Sequence, residues 1–149
     1  MKWVGIDTGT STGLAVWDAA AQRFDTLATV GIVGAMRRIL DLRSAGSPVR
    51  IVAEDARQRK WLPRERSNAE YRGRLMGAGS VKRDAAIWEE FAAEYGIPLL
   101  LVPPRKGLTK WSPETFARIT GYTGRTSEHA RDAALLVFGR KDGPVDNAI

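Results

Sequence analysis

The chain contains no cysteine. That excludes both a disulfide framework and a thiolate metal site. It lacks any apolar run near the roughly 20 residues that a bilayer span requires. Its first residues enter a strand pattern directly, without the basic stretch, apolar segment and cleavage site of a signal peptide, so an intracellular protein is expected. Repeats, low-complexity tracts and domain boundaries are also missing, and no GKS or GKT follows the glycines of the first turn, so a P-loop is absent. What remains is a chain of 149 residues, 44% hydrophobic and 27% charged. That suits one globular domain, 1–149, with an ordinary core and a polar tail expected to be loose from about Arg140.

Acidic residues are scarce in one place. Between Ala56 and Arg83 stand nine basic residues and only two acidic ones, which exceeds the whole net charge of +6. Arg57, Arg59, Lys60, Arg64, Arg66 and Lys82 belong to this segment, with Trp61 and Tyr71 among them. A solubility device is the plain alternative. Concentrated charge interleaved with aromatics instead points to a polyanion, and the expected partner is nucleic acid.

The pattern predicts strands over Trp3–Asp7, Gly13–Trp17 and Phe24–Val33, the first two as a hairpin. A helix is expected from Gly34 to Ala45, ended by Gly46 and Pro48. Val49–Ala53 reads as a short apolar strand closed by Glu54. Ser67 and Glu70 have capping-box spacing, so a helix is expected from about Ser67 to Tyr95, with Ile87, Trp88, Phe91 and Tyr95 on its buried face. Gly73, Gly77 and Gly79 weaken that helix and leave room for another backbone. Pro98–Val102 is a further strand. Ser112-Pro113 starts a helix to Thr120, and Thr126 or Ser127 caps a last one, from about Glu128 to Phe138. The fold class is α/β, a mixed five-stranded sheet whose first three strands are antiparallel, flanked by helices.

Two strands end in carboxylates, Asp7 and Glu54. If the two are neighbours, both carboxylates meet at one sheet edge. His129 and Asp132, three residues apart, share one face of the last helix. Taken singly, an aspartate in a Gly/Thr-rich turn is more often an Asx turn, a strand-end glutamate is usually solvated, and a histidine at a helix start is usually a surface residue. Together at element edges they form a candidate cluster. Such a cluster repels itself unless a cation is present, and magnesium suits carboxylate oxygens. Two ions bridged by one carboxylate can hydrolyse a phosphodiester.

The stretches "GIDTGTSTGLAVWD", "IVAED" and "SEHARDAALLVFG", in this order and spacing, resemble the RuvC-type Holliday junction resolvases, closest to the compact phage members, within the RNase H-like superfamily. The resemblance spans Lys2 to about Gly139. It implies an RNase H-like fold and a cytoplasmic homodimer, in a bacterial or phage-infected cell, that nicks opposing strands of a four-way DNA junction with two Mg2+ or Mn2+ ions. By resemblance, Asp7, Glu54 and Asp132 are catalytic metal ligands. His129 is a ligand or a proton handler, and Glu128 a weaker neighbour. Lys106 and Lys110 resemble lysines near the scissile phosphate. Arg57, Arg59, Lys60, Trp61, Arg64, Arg66 and Lys82 would contact DNA, with Trp61 the aromatic of the junction loop. Gly73, Leu75, Met76 and Gly77 would lie on the dimer helix.

Three rivals stand beside this. The sugar-kinase and actin superfamily opens similarly but needs two such domains, and without a P-loop no nucleotide cofactor is expected. A nuclease of the same fold acting on RNA–DNA hybrids or precursor ribosomal RNA would use the same carboxylates. A non-catalytic DNA-binding protein would have no need to retain Asp7, Glu54 and Asp132.

Overall fold

β1 (Lys2–Asp7), β2 (Thr12–Asp18) and β3 (Arg23–Val30) form an antiparallel meander, because apolar residues alternate across short polar turns. The computed structural model describes residues 1–58, 83–104 and 110–143. After β3, α1 (Ile32–Ser44) leads into β4 (Val49–Glu54) and a 3-10 turn at Ala56–Gln58. A second helix, α2, is described over residues 83–94. It precedes β5 (Leu99–Val102), α3 (Pro113–Thr120) and α4 (Glu128–Leu135). The strand order is β3-β2-β1-β4-β5. β4 lies parallel to both β1 and β5, so the sheet is mixed and the α/β class holds.

Helices cover both faces, which is why β1 and β4 are apolar almost throughout. On one face Trp3, Ala15, Trp17, Phe24 and Val52 meet Phe116 of α3 and Ala130, Ala133 and Ala134 of α4. On the other, Val4, Ile6, Leu14 and Ile51 meet Ala35 and Ile39 of α1 and Trp88 and Phe91 of α2. Among the described residues, no helix is long and apolar enough to cross a membrane.

Several local expectations are corrected. β3 stops at Val30, and Gly31 takes an extended conformation at the N-cap of α1. The apolar Ile32 and Val33 therefore open a helix, with Val33 68% exposed. α4 ends at Leu135, because the Val137 N–H turns back to the Ala134 carbonyl in a tighter turn. Tyr95 lies beyond the helical residues and is exposed. The carbonyls at the start of the tail accept hydrogen bonds from the sheet. Trp17 Nε1 donates to the Arg140 carbonyl at 2.8 Å, Trp3 Nε1 donates to that of Lys141 at 3.2 Å, and Arg50 donates to that of Gly143. The expected capping box at Ser67 lies outside the described residues.

Candidate functional site

The sheet register carries two of the four candidate side chains to one place. Ile6 pairs with Ala53 at the end of the parallel β1–β4 ladder, and Asp7 and Glu54 are the residues that follow this last pair on the two strands. Trp3 and Gly5 of β1 and Val52 of β4 face α3 and α4. Strand alternation puts Asp7 and Glu54 on that same face. The two strands are neighbours, the condition for these carboxylates to share an edge.

The other two candidates come from α4, which lies unusually close to the sheet. A Cβ at Gly5 would sit 2.0 Å from the Ala133 carbonyl oxygen, and one at Gly13 would sit 2.0 Å from that of His129. Gly13 is also the cross-strand partner of Asp7. Absence of a side chain at these two positions therefore allows the helix backbone to rest on β1 and β2. Ser127 sets the start of α4, its hydroxyl accepting from the Ala130 N–H at 3.1 Å, and it also bonds the Thr29 hydroxyl of β3. Thr12 is fully buried and donates to the Gly9 carbonyl at 2.9 Å, which closes the turn after Asp7.

His129 Nδ1 lies 2.8 Å from Asp7 Oδ2, so the ring donates to the carboxylate when that nitrogen carries a proton. Lys110 pairs with Glu128, and its Nζ lies 3.8 Å from Asp132 Oδ2. The Asp7 carboxyl is pushed above the ordinary aspartate range, chiefly by burial. The His129 bond opposes this, and the negative charge of Asp132 adds to it. The Lys110 ammonium is held above the usual lysine range, first by its bond to Glu128 and then by Asp132 and Glu128 through space. Side-chain exposure rises from 21% at Asp7 through 31% at Asp132 and 52% at His129 to 62% at Lys110. The site is a graded open edge, accessible to an extended substrate. Among the described residues, no group of three or more His, Asp or Glu side chains is gathered closely enough to hold one ion.

Arg57 has a different setting from the one expected of a phosphate contact. Its Nε and Nη2 donate to Asp55 at 2.8 and 3.0 Å, and Nη1 to Glu89 at 2.8 Å. Asp55 is buried, accepts also from the Arg57 N–H, and its own N–H bonds the Val102 carbonyl. Arg57 thus braces the turn after Glu54 against β5 and α2. Arg59, Lys60, Trp61, Arg64, Arg66, Lys82 and Lys106, together with Gly73, Leu75, Met76 and Gly77, lie outside the described residues.

Two features of the site escaped sequence reasoning. Gly5 has no turn or repeat to mark it, and only the α4 contact explains it. Arg131 reads as a charge on a helix surface, yet its Nε donates to the Trp111 carbonyl at 3.0 Å. Its Nη1 donates to the Thr126 carbonyl and hydroxyl, both at 3.0 Å. No family model matches the chain, and no curated protein matches it.

Proposed function

We propose that the chain is a divalent-metal-dependent endonuclease with an RNase H-like fold, of the RuvC type, that resolves four-way DNA junctions by paired nicks. The observation that carries this reading is the pairing of Asp7 with His129 and the nearness of Asp132, on the strand that adjoins β4 and its terminal Glu54. The strand order β3-β2-β1-β4-β5, with its antiparallel meander and parallel second half, supports the fold assignment. The basic segment after Glu54 supports a nucleic-acid substrate.

The donors suit magnesium or manganese in kind, because Asp7, Glu54 and Asp132 offer hard carboxylate oxygens, and the charge of Asp132 already disfavours ionised Asp7. These three would hold the ions, with His129 as a further ligand or a proton handler. When bound, such ions activate a water and stabilise the leaving oxygen of a phosphodiester. The chain's own groups do the rest. His129 orients the Asp7 carboxylate and can take or give a proton at Nδ1. Lys110 presents an ammonium beside Asp132, where it would meet a phosphate oxygen. The open edge admits a duplex backbone, and two copies of the chain would nick two opposing strands.

A labelled four-way junction incubated with magnesium and then manganese tests this. Wild type should give symmetric nicks, and Asp7→Asn should lose on the order of 10⁴-fold or more in rate, the scale measured for loss of a carboxylate at a reacting centre. Junction binding should survive the substitution. Cleavage of an RNA–DNA hybrid in place of the junction would keep the site and replace the substrate. Tight junction binding with no cleavage by wild type would favour a non-catalytic DNA-binding protein.

A further inference from the structure

We propose that Arg131 is a positioning residue that delivers Lys110 to the acidic edge by clamping the Trp111 and Thr126 carbonyls together. Lys110 has no secondary structure of its own: it lies between residues outside the described set and the N-cap of α3. The residues that follow it join it to α3. Ser112 caps α3 through its hydroxyl, which accepts from the Thr115 N–H at 3.2 Å. Trp111 packs on the core, its ring centroid 6.3 Å from that of Phe116. Trp111 also packs against the cluster that includes Ala130 of α4, but neither contact ties the main chain of the segment to α4 by a hydrogen bond.

Arg131 does. One edge of its guanidinium donates to the Trp111 carbonyl, and another nitrogen donates to the carbonyl and hydroxyl of Thr126, just before the Ser127 cap. A planar guanidinium presents donors in fixed directions that suit two separated acceptors at once, a geometry that a compact ammonium does not reproduce. Arg131 is also the residue before Asp132, so the same turn of α4 that presents the acid also holds the segment that presents the lysine. With that segment fixed, the Lys110 ammonium reaches Glu128 and Asp132. Arg131 touches none of Asp7, Glu54 or Asp132 through these bonds, so it acts through Lys110 and not on substrate. The importance of Lys110 to cleavage rests on the function proposed above; the clamp itself does not.

The test separates the two. The intact protein is treated with an amine-acylating reagent, and the modification of each lysine is read by peptide mass spectrometry, with Lys2 as internal reference. Lys2 lies at the opposite end of β1, paired with Asp18 and Asp25. In wild type, Lys110 should react slowly, because its amine is engaged by Glu128 and lies beside Asp132. Arg131→Ala should speed modification of Lys110 severalfold while Lys2 stays at its wild-type rate. Arg131→Lys, which keeps the charge and removes the bridge, should behave like Arg131→Ala, and it decides the matter if the alanine variant does not fold. Unchanged Lys110 reactivity would overturn the clamp. So would a rise shared by Lys2, or full protection in Arg131→Lys. In the nicking assay both variants should lose about 100-fold in kcat, as expected of a displaced group, with junction affinity nearly unchanged. A wild type that cleaves nothing would remove the proposed function and leave the labelling result to decide the clamp.

Discussion

At the start of β1, Lys2 lies between Asp18 and Asp25, with its Nζ 2.6 and 2.5 Å from their carboxylates. At the other end of the same strand, Asp7 has a histidine ring at 2.8 Å and a second aspartate near enough to disfavour its ionisation, and the neighbouring strand ends in Glu54. The first cluster is electrostatically closed. Asp18 accepts the N–H groups of Ala20 and Ala21 as well as the ammonium, and its carboxyl is lowered to about 2, chiefly by Lys2. In the second, burial and like charge outweigh the one bond that favours the carboxylate, and Asp7 is raised. Six residues therefore connect a corner that stabilises the fold to one where charge is crowded. Crowding of this kind is where catalytic groups are found, because an incoming cation relieves it.

The largest effect that breaks this contrast comes from the helix that creates it. Gly13→Ala would drive a Cβ to within 2.0 Å of the His129 carbonyl oxygen, a backbone atom that cannot turn aside. The expected cost is upward of about 3 kcal/mol in denaturant unfolding, since the helix must lift to make room. Loss of nicking should follow even at temperatures where the variant is folded. Wild-type stability in this variant would mean that α4 does not sit on the sheet as closely as described. The next effect sharpens the contrast from the other end. Lys2→Met leaves Asp18 and Asp25 facing one another without their shared cation. It should cost about 1–3 kcal/mol, the range for charged hydrogen bonds. Nicking per folded molecule should be unchanged, because Lys2 is at the far end of β1 from Asp7.

Local chemistry accounts for what the sequence made legible. Apolar alternation marked the strands, Ser112 and Ser127 marked the helix starts, and the carboxylates at the ends of β1 and β4 were visible as misplaced polar residues. Their adjacency was conditional, because parallel neighbours cannot be inferred from residues 47 positions apart. Val33 reads as strand because an apolar residue after β3 continues the apolar run, while its exposure on α1 is a tertiary outcome. Arg57 looked like part of a basic surface, since nothing local says that Asp55 and Glu89 will take its donors. The grip on residues 140–143 was hidden for a related reason. It depends on Trp3 and Trp17 Nε1 groups that needed carbonyl partners once buried, and those partners are more than a hundred residues away.

The smallest effect is the one that tests the contrast most directly, because it predicts opposite signs. Asp18 is lowered in the folded state, so its contribution to stability is present above the unfolded value of 3.8 and is lost as the pH falls through that value toward about 2. Asp7 is raised, so the folded state takes up its proton more readily than the unfolded chain. Ionised Asp7 therefore detracts from stability at neutral pH, and that detraction is relieved as the pH falls through the folded value to 3.8. Metal-free Asp7→Asn should accordingly melt at or slightly above the wild-type temperature at neutral pH, and the Asn oxygen can still accept from His129. Asp18→Asn should melt below wild type at neutral pH. Both differences should shrink as the solution is acidified, the first from above and the second from below. Thermal melts of the three proteins at stepped pH in the presence of a chelator measure this. If Asp7→Asn melted well below wild type, with a gap indifferent to pH, Asp7 would belong with Asp18 as a structural carboxylate, and the contrast between the two ends of β1 would fail.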